Sequence, residues 1–155
     1  MIPEKFVAFL RGPYGMALAS RDASLSPLCT LVFGIVVEPE SDTLTMFVPN
    51  VLAGATFDNL AATGRAALLA GHGEMHETYQ FKGAYLGHRP TTPPEQALQK
   101  VQQNRVVAHF RGELGERSPK FWLSFPVAPS TAVAMRIEEI FDQTPGPAAG
   151  RRLGL

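Results

Sequence analysis

The chain has 155 residues, of which 45% are hydrophobic and 18% charged, and its 14 basic and 14 acidic residues give a formal net charge of zero. This length and composition predict one folded domain with its own core, and they exclude intrinsic disorder, which needs low hydrophobicity with high net charge. Zero net charge argues against a nucleic-acid partner, and the low charged fraction indicates that a partner covers part of the surface.

No segment has the pattern of a membrane span, a secretory signal or a disulfide framework. The longest apolar run, residues 31–37, is far shorter than the roughly 20 residues that cross a bilayer. Residues 1–5 lack the basic segment and apolar core of a signal peptide, and Cys29 is the single cysteine. We therefore expect a cytoplasmic protein that has no membrane partner.

The first half of the sequence predicts a short helix followed by strands that pair as an antiparallel meander. Pro3 suits the start of a helix over residues 4–10. Runs rich in β-branched and aromatic residues, separated by polar turns, then predict three strands. These strands cover residues 16–20, 28–37 and 43–48.

The second half alternates helices with strands. Asn50 is a suitable N-cap for a helix over residues 51–63. The segment Thr92-Pro93-Pro94-Glu95 is a capping box with proline at the first helical position, and it predicts a helix over residues 93–110. The remaining predicted elements are strands over 65–70, 78–86 and 131–141 and a short helix that begins at 118.

The order of these elements predicts a fold that is mainly β with helices (α+β). Strands that follow one another through short turns favour a six-stranded antiparallel split β-barrel with flanking helices over a parallel βαβ sheet. The barrel domain is predicted over residues 1–144. Residues 145–155, rich in proline and glycine, follow the last strand and are predicted to form a C-terminal arm, either disordered or packed on a dimer mate.

Motifs for phosphate loops, dinucleotide-binding turns and nucleophile elbows are absent from the sequence. His72 and His76 have the spacing of a helical metal pair, but Gly71 and Gly73 favour a loop between two strands, so no metal site is predicted. Such a loop would be solvated or would cover a cofactor. Any of the four histidines remains a possible haem ligand; they are His72, His76, His88 and His109.

Three pieces of sequence between Ala19 and Gly83 carry a family resemblance. They are Ala-Ser-Arg-Asp at 19–22 before a long apolar strand, the strand, helix and strand over 43–69, and Tyr-Gln-Phe-Lys-Gly at 79–83. In this order they resemble the pyridoxamine 5′-phosphate oxidase-like, FMN-binding split-barrel superfamily, and residues 140–147 resemble the tail of an uncharacterised branch of it. The resemblance implies a homodimer with FMN at the subunit interface and a small-molecule substrate.

The resemblance also implies which positions contact the cofactor. Ala55 and Thr56 fall where the oxidases place an Arg-Lys phosphate pair, so only the Thr56 hydroxyl is left to bind there, and Arg65, Lys82, Arg151 and Arg152 are cations that can replace the pair. The alternative is that these positions have only structural roles, in the core, at strand ends and on a solvated strand face. The full set of implied cofactor contacts is Val48, Pro49, Asn50, Ala55, Thr56, Thr78, Gln80 and Lys82.

Three functions fit the sequence. The first is an FMN-dependent oxidoreductase, in which the flavin carries the electrons and the protein need supply no dedicated acid or base; no catalytic residue is assigned. The second is a non-catalytic protein that binds haem, a deazaflavin or another planar ligand on the same fold. The third is a structural or regulatory dimer without a cofactor. The fold alone does not choose among the three.

Overall fold

The computed structural model describes residues 1–12, 15–72, 76–114 and 117–155. These residues form five helices and eight strands, so the predicted class, mainly β with helices, is confirmed. The helices are α1 (Glu4–Leu10), α2 (Asn50–Ala53), α3 (Thr56–Thr63), α4 (Pro93–Leu114) and α5 (Arg117–Leu123). The strands are β1 (Gly15–Arg21), β2 (Pro27–Leu31), β3 (Ile35–Glu38), β4 (Thr43–Pro49), β5 (Arg65–Gly71), β6 (Thr78–Pro90), β7 (Ser130–Asp142) and β8 (Arg152–Leu153).

All the strands belong to one antiparallel sheet. Its order is β2-β1-β5-β6-β7-β4-β3, with β8 paired to β7 beside this path. The sheet is not closed, and β2 and β3, which are its two edges, are consecutive in the chain. The linker between them bonds to both sides of the split, because Val32 N–H donates to Met16 O and Phe33 N–H to Phe47 O. The sheet is therefore curled, with its edges near each other.

The predicted single strand over 28–37 is wrong, because the chain breaks between β2 and β3. Gly34 has φ of +126°, a conformation that side-chain-bearing residues rarely adopt. The break is held from outside the sheet by Gln102 of α4. Its Oε1 accepts from Ile35 N–H at 2.8 Å and its Nε2 donates to Ile35 O at 3.2 Å.

The predicted helix over 51–63 is also wrong in detail. It is two helices, because Gly54 has φ of +50° between α2 and α3. Asn50 is the first residue of α2 rather than its N-cap, and its Oδ1 accepts from the Thr131 hydroxyl at 2.8 Å. Only α3 ends as predicted, with Gly64 in the left-handed conformation.

The predicted start of α4 is confirmed, and the half of its capping box that the Glu95 side chain supplies is formed. Glu95 Oε2 accepts from Thr92 N–H at 2.8 Å and also bonds to the Thr92 hydroxyl. Arg89 donates two further bonds to the Glu95 carboxylate, at 2.7 and 2.9 Å. The helix then continues to Leu114, four residues beyond its predicted end, because a glycine inside a helix weakens it without ending it.

The predicted C-terminal arm folds back onto its own chain. Residues 152–153 pair with Ile140 and Phe141 on the stretch of β7 that lies beyond the start of β4. That stretch has a free edge, so the arm supplies the backbone partners that β4 does not reach. The strand count is therefore eight rather than six, since one predicted strand is two and the arm adds another.

The core fills the concave side of the sheet and is closed by α1 and α3. Phe6 of α1 packs edge-on against Tyr79 and Phe81 of β6. Leu60 of α3 and the alternating strand residues supply the rest, and the fully buried strand residues include Leu18, Leu44, Met46, Leu68, Phe81, Met135 and Ile140. No described helix is both long and apolar enough to cross a membrane.

Candidate functional site

The outer face of the sheet, meaning the side away from the core, is lined by small residues on its central strands. Strand burial alternates along β1 and β5, so residues 17, 19, 65, 67 and 69 point outward. Cross-strand pairing places Ala19 beside Ala67 and Ala67 beside Lys82. The face is flat at this point because alanine side chains do not project far from the pleat.

A depression of about 310 Å³ lies on this face, close to the lower size limit of small-molecule sites. Its floor is formed by the two strand alanines and its rim carries cations. The lining residues are Ala19, Ser20, Arg21, Arg65, Ala66, Ala67 and Lys82. No acidic residue is among these lining residues, so the depression is suited to an anion.

The three cations differ in what they already contact. The Arg65 guanidinium donates to Glu138 at 2.6 Å. Arg21 donates to the carbonyl of Asp22 at 3.2 Å, and among the described residues it forms no ion pair. Lys82 Nζ lies 4.5 Å from the centre of the Phe141 ring and likewise pairs with no carboxylate of the described chain. Two cations thus remain available for a charged ligand.

Of the predicted contacts on β6, Thr78, Gln80 and Lys82 all lie in the half of the strand paired to β5. Thr78 is engaged by the turn that follows β7: its N–H donates to the Thr144 hydroxyl at 3.1 Å. Gln80 Oε1 accepts a long bond from Gln143 at 3.5 Å. Lys82 is therefore the one predicted β6 contact that lines the depression.

The predicted contacts on β4 and the helices after it lie elsewhere. Val48 and Pro49 are buried, and Ala55 is exposed directly before α3. The Thr56 side chain is fully buried, and its hydroxyl has no hydrogen-bond partner among the described residues. Asn50 is exposed at the end of the sheet where β4 meets β7.

The two groups of predicted contacts are far apart within one chain. Asn50 bonds to Thr131, which pairs with Pro90 at the end of β6. Gln80 precedes Pro90 by ten residues on the same strand, a separation of about 30 Å in extended chain. One protomer therefore does not bring Asn50 and Gln80 to one ligand.

Sequence reasoning assigned no role to Arg21 or Ser20, although it quoted both within the resemblance. The alternation of buried and outward residues along β1 could have indicated Arg21. It continues the outward set and lies in register with Pro27 of β2. The position becomes informative only when β5 is known to pair with β1 and β6 with β5. Arg65 and Lys82 were named as replacement cations, and the structure places both at the depression.

The histidines lie outside the depression. His88 Nδ1 is hydrogen-bonded to the Tyr85 hydroxyl, and its ring stacks on Phe57 with centroids 5.0 Å apart. Burial raises the pKa of Tyr85 above its usual value. His72 meets the ring of His109 edge-on at 4.7 Å. The loop predicted around residues 73–75 lies outside the described residues.

Neither a metal cluster nor the small cavity behind the break between β2 and β3 adds a site within the described chain. No group of three or more His, Cys, Asp or Glu side chains there is arranged to hold a metal ion. A cavity behind the break between β2 and β3, lined by Phe33, Gln102 and Trp122 among others, measures about 20 Å³. That volume is of the order of one water molecule.

Comparison with known proteins gives structural matches only. No protein-family profile and no curated protein matches the sequence. HupZ from Group A Streptococcus aligns with a TM-score of 0.56 at 15% identity, over 97% of this chain and 100% of HupZ. An F420 reductase aligns with a TM-score of 0.58 at 13% identity, over 90% of this chain and 98% of the reductase.

A third solved structure is a candidate pyridoxamine 5′-phosphate oxidase from Lactobacillus delbrueckii. It aligns with a TM-score of 0.53 at 16% identity, over 91% of this chain and 93% of the other. The chain has the fold of these three proteins. The resemblance to the pyridoxamine 5′-phosphate oxidase-like superfamily is thus confirmed at the level of the fold.

Proposed function

We propose that the protein is an FMN-dependent oxidoreductase that binds the flavin on the outer face of β1, β5 and β6. The observation that supports this is the depression with Arg21 and Lys82 on its rim and a floor of alanines. Both cations lack a carboxylate partner among the described residues, on a fold that also serves an F420 reductase.

The rim cations take the role of the phosphate anchor. A phosphate that accepts from Arg and Lys forms charge-assisted bonds, each contributing about 1.5–3 kcal/mol. Arg21 and Lys82 replace the pair that is missing at Ala55 and Thr56. This moves the anchor from the start of α3 to the sheet.

The floor suits a flat ring system. Ala19 and Ala67 expose only methyl groups, and Leu69, two residues further along β5, is 41% exposed on the same side. A planar ring can therefore lie against the strands without displacing a large side chain. When bound, a flavin supplies the electron or hydride transfer, and the residues of the chain position it.

A depression this open needs a cover if it is to exclude water from a flavin. We propose a homodimer in which a second copy packs on the outer face, because that face carries the exposed Leu69 beside the small side chains of Ala19 and Ala67. In such a dimer, Asn50 of one protomer and Gln80 of the other could contact the same cofactor. A small-molecule substrate would enter beside the flavin.

A deazaflavin is the second candidate ligand, because the F420 reductase shares this fold and the rim would hold either cofactor through its phosphate. Haem has less support at this site: the described histidines, His72, His76, His88 and His109, do not line the depression.

The test is a titration of the purified protein with FMN, followed by quenching of flavin fluorescence. We expect binding by the wild type and a loss of about 10- to 100-fold in affinity for Lys82→Ala and for Arg21→Ala. Lys100→Ala, on the exposed side of α4, is the matched control and should bind like the wild type.

Riboflavin, which lacks the phosphate, tests the ring site on the alanine floor separately from the phosphate anchor at the rim. It should bind weakly and with equal affinity to the wild type and both rim variants. The proposal is wrong if the wild type does not bind FMN, or if both rim variants bind FMN as tightly as it does; binding of F420 without FMN would favour the second candidate ligand. Sedimentation velocity of the same samples gives the mass, and a monomer would refute the homodimer.

A further inference from the structure

The charge arrangement around Lys82 begins with a β-bulge. Lys82 pairs with Glu139 and the next residue, Gly83, pairs with Ile137, so Glu138 is the additional residue of β7. Ile137 and Ile140 are buried on the core side. The bulge lets both intervening glutamates point outward, toward the depression.

The second element of the arrangement is the folded-back C-terminus. Asp142 N–H donates to Arg151 O at 2.9 Å and Gly150 N–H to Asp142 O at 2.7 Å, which closes the turn after β7. Arg152 then pairs in register with Phe141. This brings its guanidinium within 3.3 Å of Glu139 Oε1.

The carboxylates of Glu138 and Glu139 are therefore both ion-paired with arginine. Glu138 is held by Arg65 at 2.6 Å and lies 3.8 Å from Arg136. Glu139 is held by Arg152. Lys82, directly across the ladder from Glu139, is left against the Phe141 ring with no carboxylate of the described chain.

We propose that Arg152 is a positioning residue that keeps Lys82 available to an anion by engaging Glu139. Directly opposed residues in an antiparallel pair have Cβ atoms about 4.5–5.5 Å apart. Without Arg152, Glu139 is the nearest partner for the Lys82 ammonium, and the pair would neutralise the rim of the depression. The C-terminal arm is thus part of the anion site although it does not line it.

The size of the effect follows from exposure. The Arg152 side chain is 64% exposed and Glu139 30%. Exposed ion pairs contribute at most about 1 kcal/mol. Competition from Glu139 should therefore weaken anion binding about two- to fivefold rather than abolish it.

The identity of the anion rests on the proposed flavin site, whereas the competition between Arg152 and Lys82 for Glu139 does not. The test accordingly uses inorganic phosphate, added to the full-length protein and followed through the Lys82 side-chain NMR resonance. We expect saturable binding by the wild type and a two- to fivefold weaker affinity for Arg152→Ala. Arg151→Ala removes the same charge from the neighbouring position and should bind like the wild type.

A rescue variant tests whether Arg152→Ala weakens binding because Glu139 competes for Lys82, rather than because a positive charge or strand β8 is lost. Arg152→Ala combined with Glu139→Gln has the net charge of the wild type and lacks the competing carboxylate, so phosphate affinity should return. The inference is overturned if the wild type binds no phosphate at Lys82, if Arg152→Ala matches Arg151→Ala, or if the double variant stays weak. Phosphate rescue without any FMN binding would sustain it while refuting the flavin proposal.

Discussion

A single methyl group at Gly83 tests the register between β6 and β7 on which the site depends. A Cβ at this position would lie 1.8 Å from the Arg136 carbonyl oxygen and 2.8 Å from its carbonyl carbon. Real Cβ atoms essentially never approach other heavy atoms below 3.0 Å. Gly83→Ala therefore requires the two backbones to separate by about 1 Å, and no side-chain rotation can relieve the contact.

The expected cost combines two effects. Forcing an extra methyl group into a packed site costs about 1–3 kcal/mol, and weakening one or two ladder hydrogen bonds adds about 1 kcal/mol each. The lower backbone entropy of unfolded alanine offsets up to about 1 kcal/mol. We expect a net loss of about 2–4 kcal/mol, which for a chain of this size lowers Tm by about 5–12 °C.

The measurement is thermal unfolding followed by circular dichroism, with urea unfolding for the free energy. Gly15→Ala is the matched control, because Gly15 is also a strand residue and no neighbouring atom lies within 4 Å of its Cβ position. It should change stability by less than about 0.5 kcal/mol. A Gly83→Ala protein that melts within 2 °C of the wild type, roughly 1 kcal/mol by the same scaling, would show that the bulge register is wrong.

Two further substitutions address the helix that supports the sheet. Gln102→Leu should destabilise by about 2–3 kcal/mol in urea unfolding, since it leaves Ile35 N–H and C=O unpaired, whereas Asn104→Leu on the exposed side should not. Arg89 lowers the pKa of Glu95 from 4.5 to about 2, so the carboxylate stabilises the fold fully above about pH 4.5 and loses this contribution as the pH falls toward 2. Glu95→Gln should be about 1–2 kcal/mol less stable at pH 7, the half-exposed Arg89 limiting the gain, and a difference undiminished at pH 3 would contradict this.

The sequence predicts local structure correctly where residues within one turn of each other determine it. Thr92 and Glu95 are three residues apart, and the two bonds from Thr92 to the Glu95 carboxylate need no other element. Gly34 shows the opposite case: a glycine in an apolar run is compatible with a continuous strand, and the break depends on Gln102, distant in sequence. Glu138 is a similar case, because its place in a bulge follows from the pairing of β7 with β6.

The candidate site divides in the same way. Lys82 was predicted because its neighbours along β6 carry the resemblance. Arg21 was not predicted. It lies near Lys82 only because β5 pairs with both β1 and β6, and one sequence does not show which strands pair. The prediction that Asn50 and Gln80 serve one cofactor places that cofactor at a subunit interface, and it stays a prediction because one chain does not bring the two residues together.

The two edges of the sheet have a consequence for association. β2 has five residues and β3 four, and short edge strands are poor templates for pairing with another chain. Pro27 begins one edge and Pro39 follows the other, so each lacks a backbone donor at that end. Edge-to-edge growth into aggregates is thus disfavoured.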